Sequence, residues 1–123
     1  MRIPILLIAA VLTASALAPP ALAQNESDWV PYFAFEDVTF FFAPSTLQKD
    51  GVARIIKWHD SRNPQVVFKV RIDCTARTIQ SLSADEYDLL TGIYYETADL
   101  SAQPPDPLGT PASMGSALAK TVC

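Results

Sequence analysis

The chain has 123 residues and a formal net charge of −4, from thirteen acidic and nine basic side chains. Its composition disfavours binding to nucleic acid or anionic lipid, because their phosphates attract positive charge and the chain has no cluster of Lys or Arg. Its content of Phe, Tyr, Val and Ile excludes a disordered polymer and predicts one small globular domain.

Residues 1–23 predict a cleavable export signal. Arg2 precedes an uncharged apolar run at 3–17, and the sequence ALA at 21–23 matches the small-x-small pattern of a cleavage site. The alternative is a membrane anchor, but the run is shorter than the roughly 20 residues that a span requires. The mature chain is therefore expected to comprise residues 24–123, with a net charge of −5 because Arg2 is removed.

The first part of this domain predicts consecutive strands. The segments WVPYFAF at 29–35 and VTFFFA at 38–43 flank Glu36-Asp37, which suits a tight turn. A second turn is predicted at KDG, 49–51, before VARIIKWH at 52–59. The pattern of this last strand leaves open which of its faces is buried, since Arg54 shares a face with its apolar residues.

The segment QVVFKVRIDC at 65–74 gives the clearest strand pattern. Val66, Phe68, Val70 and Ile72 alternate with mostly polar residues, as expected for a strand with one buried and one solvated face. Cys74 follows Ile72 by two residues, so on a strand it lies on the same face as these apolar residues. Its sulfur is therefore expected on the core side of the sheet.

The last third of the chain predicts a hairpin, an extended linker and a helix. DEYDLLTG at 85–92 is interpreted as the hairpin connection to a strand at 93–97, and a Pro-rich linker covers 101–111. Met114, Leu118 and Val122 recur every four residues, so they define the apolar stripe of a short helix, with Ala117 and Thr121 on the same stripe. Thr110 or Ser113 could cap it.

The two cysteines predict one disulfide, Cys74–Cys123, because paired thiols of exported proteins are usually oxidised. The alternative is two free thiols. Consecutive strands with no helix between them predict an antiparallel sheet. The fold class is therefore α+β: one sheet with a C-terminal α-helix packed on one face and tethered by the disulfide.

The sequence offers little catalytic chemistry. His59 is the one histidine, and its neighbour Asp60 would point to the other face of a strand. We interpret His59 as a surface residue. No nucleophile elbow, phosphate loop or metal-ligand spacing occurs in the sequence, which favours a protein without enzymatic activity, cofactor or metal.

Aromatic residues are the candidate binding groups. Phe41 lies opposite in parity to Phe40 and Phe42, and one helix cannot cover both faces of a sheet. Either loops cover Phe41 and its neighbours Tyr32, Phe33 and Phe35, or Phe41 marks a ligand or subunit surface, including that of a homodimer. Tyr94 and Tyr95 raise the same alternatives.

The order of these features resembles the surface-adhesin protein E-like family of bacterial exported proteins. The resemblance rests on Trp29, PSTL at 44–47, RIDC at 71–74, the hairpin glycine Gly92 and the final Val122-Cys123. It implies a sheet of about six antiparallel strands and a binding role in the periplasm or on the cell surface. This sequence departs from the family at Ala43, where an acidic residue is common.

Taken together, the sequence predicts an exported, non-enzymatic module that binds a host or envelope protein. Two alternatives remain: an accessory subunit of an envelope assembly, and a small secreted enzyme inhibitor.

Overall fold

The computed structural model describes residues 28–123. The predicted export signal lies outside the described residues. The strands are β1 (Val30–Phe35), β2 (Val38–Phe42), β3 (Gln48–Asp50), β4 (Ala53–Asp60), β5 (Val66–Asp73), β6 (Thr78–Tyr87), β7 (Tyr94–Asp99) and β8 (Asp106–Pro107). The α-helix is α1 (Met114–Val122), and a short 3₁₀ helix at Pro44–Thr46 joins β2 to β3.

All the strand pairs are antiparallel, as the sequence predicts. Six strands form the main path in the order β1-β2-β4-β5-β6-β7, while β3 pairs with β4 and β8 pairs with β6. The two additional strands are only three and two residues long. The prediction of about six strands with one C-terminal helix is therefore confirmed.

Local chemistry explains the turns. Glu36 links β1 to β2 with a φ of 58°, and Gly51 follows β3 with a φ of 62°. At the end of β5, the carboxylate of Asp73 accepts hydrogen bonds from the backbone N–H groups of Thr75 and Ala76. These short polar turns reverse the chain without a crossover helix, which is why sequential strands become neighbours.

Helix α1 begins where the sequence predicts. The hydroxyl of Ser113 accepts a hydrogen bond from the backbone N–H of Ser116 at 3.1 Å, which satisfies one of the N–H groups that a helix start leaves unpaired. The apolar stripe is offset from the prediction. Ala119 is fully buried beside Leu118, whereas Thr121 is exposed.

Gly115 lies at a close contact between α1 and the linker. An added Cβ there would lie 3.2 Å from the backbone oxygen of Leu108, so this position of α1 approaches the incoming linker closely. Leu108 is itself buried in the core. A larger residue at position 115 would therefore crowd the contact between α1 and the linker.

The main core lies between α1 and one face of the sheet. Its fully buried members include Ile56 and Ile72 of the sheet and Leu118 of the helix. Trp58 also lies in this core, which resolves the face of β4 that the sequence left open. The core thus draws on β4, β5 and α1 together.

The disulfide fastens the end of α1 to this sheet. Cys74 and Cys123 are bonded, with their Cα atoms 5.8 Å apart. Cys74 follows directly on β5, and Cys123 caps α1 by donating its N–H to the backbone oxygen of Ala119. The predicted tether of the helix to the middle of the sheet is present.

One prediction for β5 is wrong. Val67 alternates with the apolar set together with Lys69 and Arg71, which predicts a solvated side chain, yet only 1% of Val67 is exposed. It packs with Tyr87 and Trp29 in a second, smaller cluster. Residues preceding β1 therefore cover part of the sheet face that α1 leaves open.

Candidate interaction surface

Phe41 lies on the sheet face opposite α1 and is half-buried. Its ring stacks on the imidazole of His59, with the ring centroids 5.0 Å apart, and Trp29 meets the same imidazole edge-on at 4.3 Å. The structure thus places Phe41 beside a small aromatic group and not in an open patch. Of the neighbours named with Phe41, Tyr32 packs instead on the core beneath α1, and Phe35 is exposed.

His59 is buried, so its interpretation as a surface residue is wrong. Only 8% of it is exposed, and its Nδ1 atom has no hydrogen-bond partner within residues 28–123. Burial lowers the pKa of His59, and the nearby carboxylate of Asp60 opposes this effect. The cause of the burial is the cover that Trp29 and Phe41 provide, which requires tertiary contacts that strand parity does not reveal.

We expect the lowered pKa of His59 to make stability fall on acidification. The unfolded chain takes up a proton on histidine near pH 6.5, whereas the folded protein resists until a lower pH. The free energy of unfolding should therefore decrease as the pH falls below about 6.5 toward the folded pKa. Urea denaturation of the wild type and His59→Phe between about pH 7.5 and 5 checks this. A slope of equal size in both proteins would contradict it.

The exposed apolar side chains concentrate at the end of the β6–β7 hairpin. We call this set the hairpin-end patch; it consists of Leu89, Leu90, Ile93, Tyr94 and Tyr95. The side chain of Leu90 is 92% exposed, that of Tyr95 69% and that of Ile93 64%. Such clustering of large apolar groups on a small domain is typical of an interaction site.

The turn beneath this patch is ordered by hydrogen bonds. One carboxylate oxygen of Asp88 accepts from the backbone N–H groups of Leu90 and Thr91, and Gly92, with a φ of 75°, donates its N–H to the Asp88 carbonyl. The leucines are therefore displayed by a defined loop. The sequence placed this connection at 85–92, but β6 continues to Tyr87, so the connection is shorter than predicted.

The two tyrosines of the sequence prediction have different environments. The hydroxyl of Tyr94 is hydrogen-bonded to Thr97 Oγ1, which in turn donates to a carboxylate oxygen of Asp85 at 2.7 Å. The Tyr94 ring also meets Tyr87 edge-on. The side chain of Tyr95 makes no hydrogen bond or ring contact with the described residues, and it borders a depression of about 460 Å³ beside Leu89 and Leu90. Tyr95 is the more accessible candidate.

The charged side chains of the hairpin and of the segment that follows it have one sign. Between Arg77 and Lys120 the sequence contains no basic residue, whereas it contains six acids: Asp85, Glu86, Asp88, Glu96, Asp99 and Asp106. Asp85, Asp88 and Asp99 accept hydrogen bonds from their neighbours. The side chains of Glu86 and Glu96 make no hydrogen bond or ion pair with the described residues, although the two residues lie directly opposite each other across β6 and β7.

Like charges directly opposite in a sheet repel each other. We therefore expect Glu96→Lys to raise the free energy of unfolding by about 0.5 kcal/mol, because it replaces the repulsion by an attraction. Urea denaturation measures the change, and Glu96→Gln, which removes only the repulsion, should fall between the wild type and the lysine variant. A lysine variant less stable than the wild type would show that the two carboxylates do not interact.

A larger cavity of about 570 Å³ lies beside α1 and is bordered by Tyr32, Arg77 and Lys120. The hydroxyl of Tyr32 is buried without a hydrogen-bond partner in the described part of the chain. Burial, followed by the charge of Asp60, raises the pKa of this phenol, so it stays protonated at neutral pH.

Comparison with protein-family models, with curated proteins and with solved structures finds no match to this chain. Within residues 28–123, no group of three or more His, Cys, Asp or Glu side chains could hold a metal ion. None of the helices described is both long and apolar enough to cross a membrane. The hairpin-end patch is thus defined by its own geometry: exposed apolar groups on an ordered turn, bordered by acids.

Proposed function

We propose that this chain is an exported, non-enzymatic module that binds another protein through the hairpin-end patch. The observation that carries the proposal is the exposure of Leu90, Ile93 and Tyr95 on one ordered hairpin. Exposure of large apolar side chains to water is unfavourable, and a partner that covers them would remove this cost. Their concentration on one hairpin therefore favours a binding partner. Interfaces commonly take their affinity from a few such aromatic and aliphatic anchors.

The proposed location is the periplasm or the cell surface. The disulfide supports a compartment outside the reducing cytosol, and the sequence of residues 1–23 has the pattern of an export signal. The likeness in sequence order to surface-adhesin protein E-like proteins supports an adhesive role toward host or envelope proteins. That role remains part of the proposal.

A binding comparison tests the proposal. The mature, oxidised domain is immobilised and exposed to purified host matrix proteins and to fractionated envelope proteins, each over a concentration series. We expect saturable binding of at least one protein, weakened at least about tenfold in Leu90→Ser/Tyr95→Ser.

The matched control is Phe35→Ser, which removes an exposed aromatic outside the patch, 59% exposed at the end of β1. It should bind as the wild type does. Binding that is absent throughout, or that both variants weaken equally, would contradict the proposal.

A further inference from the structure

The outer edge of β7 is an open sheet edge. Among the described residues β7 pairs only with β6, and all six of its residues are exposed. The opposite edge strand, β1, carries Pro31, a residue that obstructs further pairing. β7 contains neither proline nor lysine, the residues that commonly protect such edges.

The register identifies which backbone groups are unpaired. The N–H of Leu100 donates to the carbonyl of Leu82 at 2.9 Å, which makes these two residues a hydrogen-bonded pair of the β6–β7 ladder. Pairing alternates along an antiparallel ladder, so Ala98 and Glu96 also face β6. The N–H and C=O groups of Thr97 and Asp99 therefore point to the open side.

The side chains at this edge favour a cationic occupant. Glu86 and Glu96 are directly opposite each other and have no counter-ion among the described residues, and the nearest basic residues in sequence are Arg77 and Lys120. A strand added outside β7 would place the residue opposite Glu96 at a non-hydrogen-bonded position, where facing side chains come closest. A lysine or arginine there would relieve the repulsion between the two glutamates.

The same charges argue against a second copy as the occupant. Pairing of two β7 strands would bring Glu96 and Asp99 of both copies into one ladder with no positive charge between them. Like charges facing each other across strands destabilise pairing. These charges disfavour a second copy at the edge and favour a strand of the opposite charge.

We infer that the partner adds an extended, Lys- or Arg-bearing segment as an antiparallel strand on the outer edge of β7, with a cation beside Glu86 and Glu96. This inference rests on the proposed function and specifies the partner's chemistry. Backbone hydrogen bonds to Thr97 and Asp99 supply affinity without sequence preference. The glutamate pair and the hairpin-end patch supply the preference for basic and apolar side chains on the incoming strand.

The probe is a blocked eight-residue peptide of alternating lysine and valine, carrying a fluorophore. Its anisotropy is titrated with the mature, oxidised protein at about 50 mM and about 0.5 M salt. Two control peptides replace each lysine by glutamate or place proline at two central positions. We expect saturable binding of the lysine peptide, weakened at least about tenfold by high salt, and no binding of either control peptide.

One double variant and one matched pair of variants separate the contribution of charge from that of edge pairing. Glu86→Gln/Glu96→Gln should weaken binding of the lysine peptide at least about tenfold, without loss of the fold. Thr97→Pro removes the outward N–H and should abolish binding, whereas Thr97→Val loses the same hydroxyl but keeps the N–H and should bind normally. Amide NMR spectra establish whether each variant is folded. If Thr97→Pro does not fold, the double glutamine variant still tests the inference.

Several results would overturn the inference: no binding of the lysine peptide, equal binding of the glutamate peptide, or unchanged binding by a folded Thr97→Pro. Sedimentation that reveals a dimer lost in Thr97→Pro would assign the edge to a second copy. If the peptide fails while a protein partner still depends on Leu90 and Tyr95, only this inference is lost. If the peptide binds but no protein does, only the proposed function is lost.

Discussion

The variant in which Cys74 and Cys123 are both replaced by serine is expected to lose about 4 kcal/mol of unfolding free energy. The bond closes a segment with a sequence separation of 49 residues, and on the chain-entropy account such a loop restricts the unfolded chain substantially. Since whole domains are typically stable by only about 5–15 kcal/mol, the variant should be close to unfolding at 37 °C. Urea denaturation of the oxidised wild type and the variant measures the difference.

The wild type treated with reductant is the control for the serine substitutions. It should show the same loss of stability as the double variant, because both lack the tether but differ in the side chains at the two positions. Alkylation of both thiols in the non-reduced mature protein, or a double variant as stable as the oxidised wild type, would contradict the tethered architecture.

The substitution Leu118→Ala is expected to cost about 3 kcal/mol. Leu118 is fully buried, and it lies in the cluster that joins α1 to Ile56 and Ile72 of the sheet. Truncation removes apolar contacts and leaves a cavity between two rigid layers, which can close only partly. The measurement is again urea denaturation, at constant pH and with the disulfide intact.

Thr121→Ala is the matched control on the same helix. Thr121 is exposed, and its hydroxyl donates to the backbone oxygen of Ala117 within the helix. The change should alter stability by no more than about 0.5 kcal/mol. A cost below about 1 kcal/mol for Leu118→Ala would show that α1 does not seat this side chain in the core.

Local sequence patterns predicted much of the fold, because the determinants of strands, turns and caps are local. Strand periodicity predicted β5, and capping chemistry predicted Thr110 or Ser113 as the cap of α1, of which Ser113 is the one observed. The predictions that are wrong concern residues buried by a segment distant in the sequence. Val67 and His59 alternate as solvated residues should, yet Trp29, from a different part of the chain, lies over them. Parity states which face a residue occupies and does not state what covers that face.

The candidate surface was predicted only in part. The sequence analysis named Tyr94 and Tyr95 as candidate binding groups because they are aromatic. It placed Leu89 and Leu90 in the hairpin connection and predicted no binding role for them. The absence of basic residues between Arg77 and Lys120 can be read directly from the sequence. Its significance emerges only from the register, which places Glu86 opposite Glu96 at an open edge.

Amide hydrogen exchange of the mature, oxidised protein, measured by NMR with and without the lysine peptide, tests the central claim most directly. In the unbound protein the N–H groups of Glu96 and Ala98 should exchange slowly, and those of Thr97 and Asp99 fast, because only the first two face β6. Binding should slow exchange at Thr97 and Asp99. Unchanged exchange at both sites, with new protection confined to other strands, would show that this edge is not where the protein receives its partner.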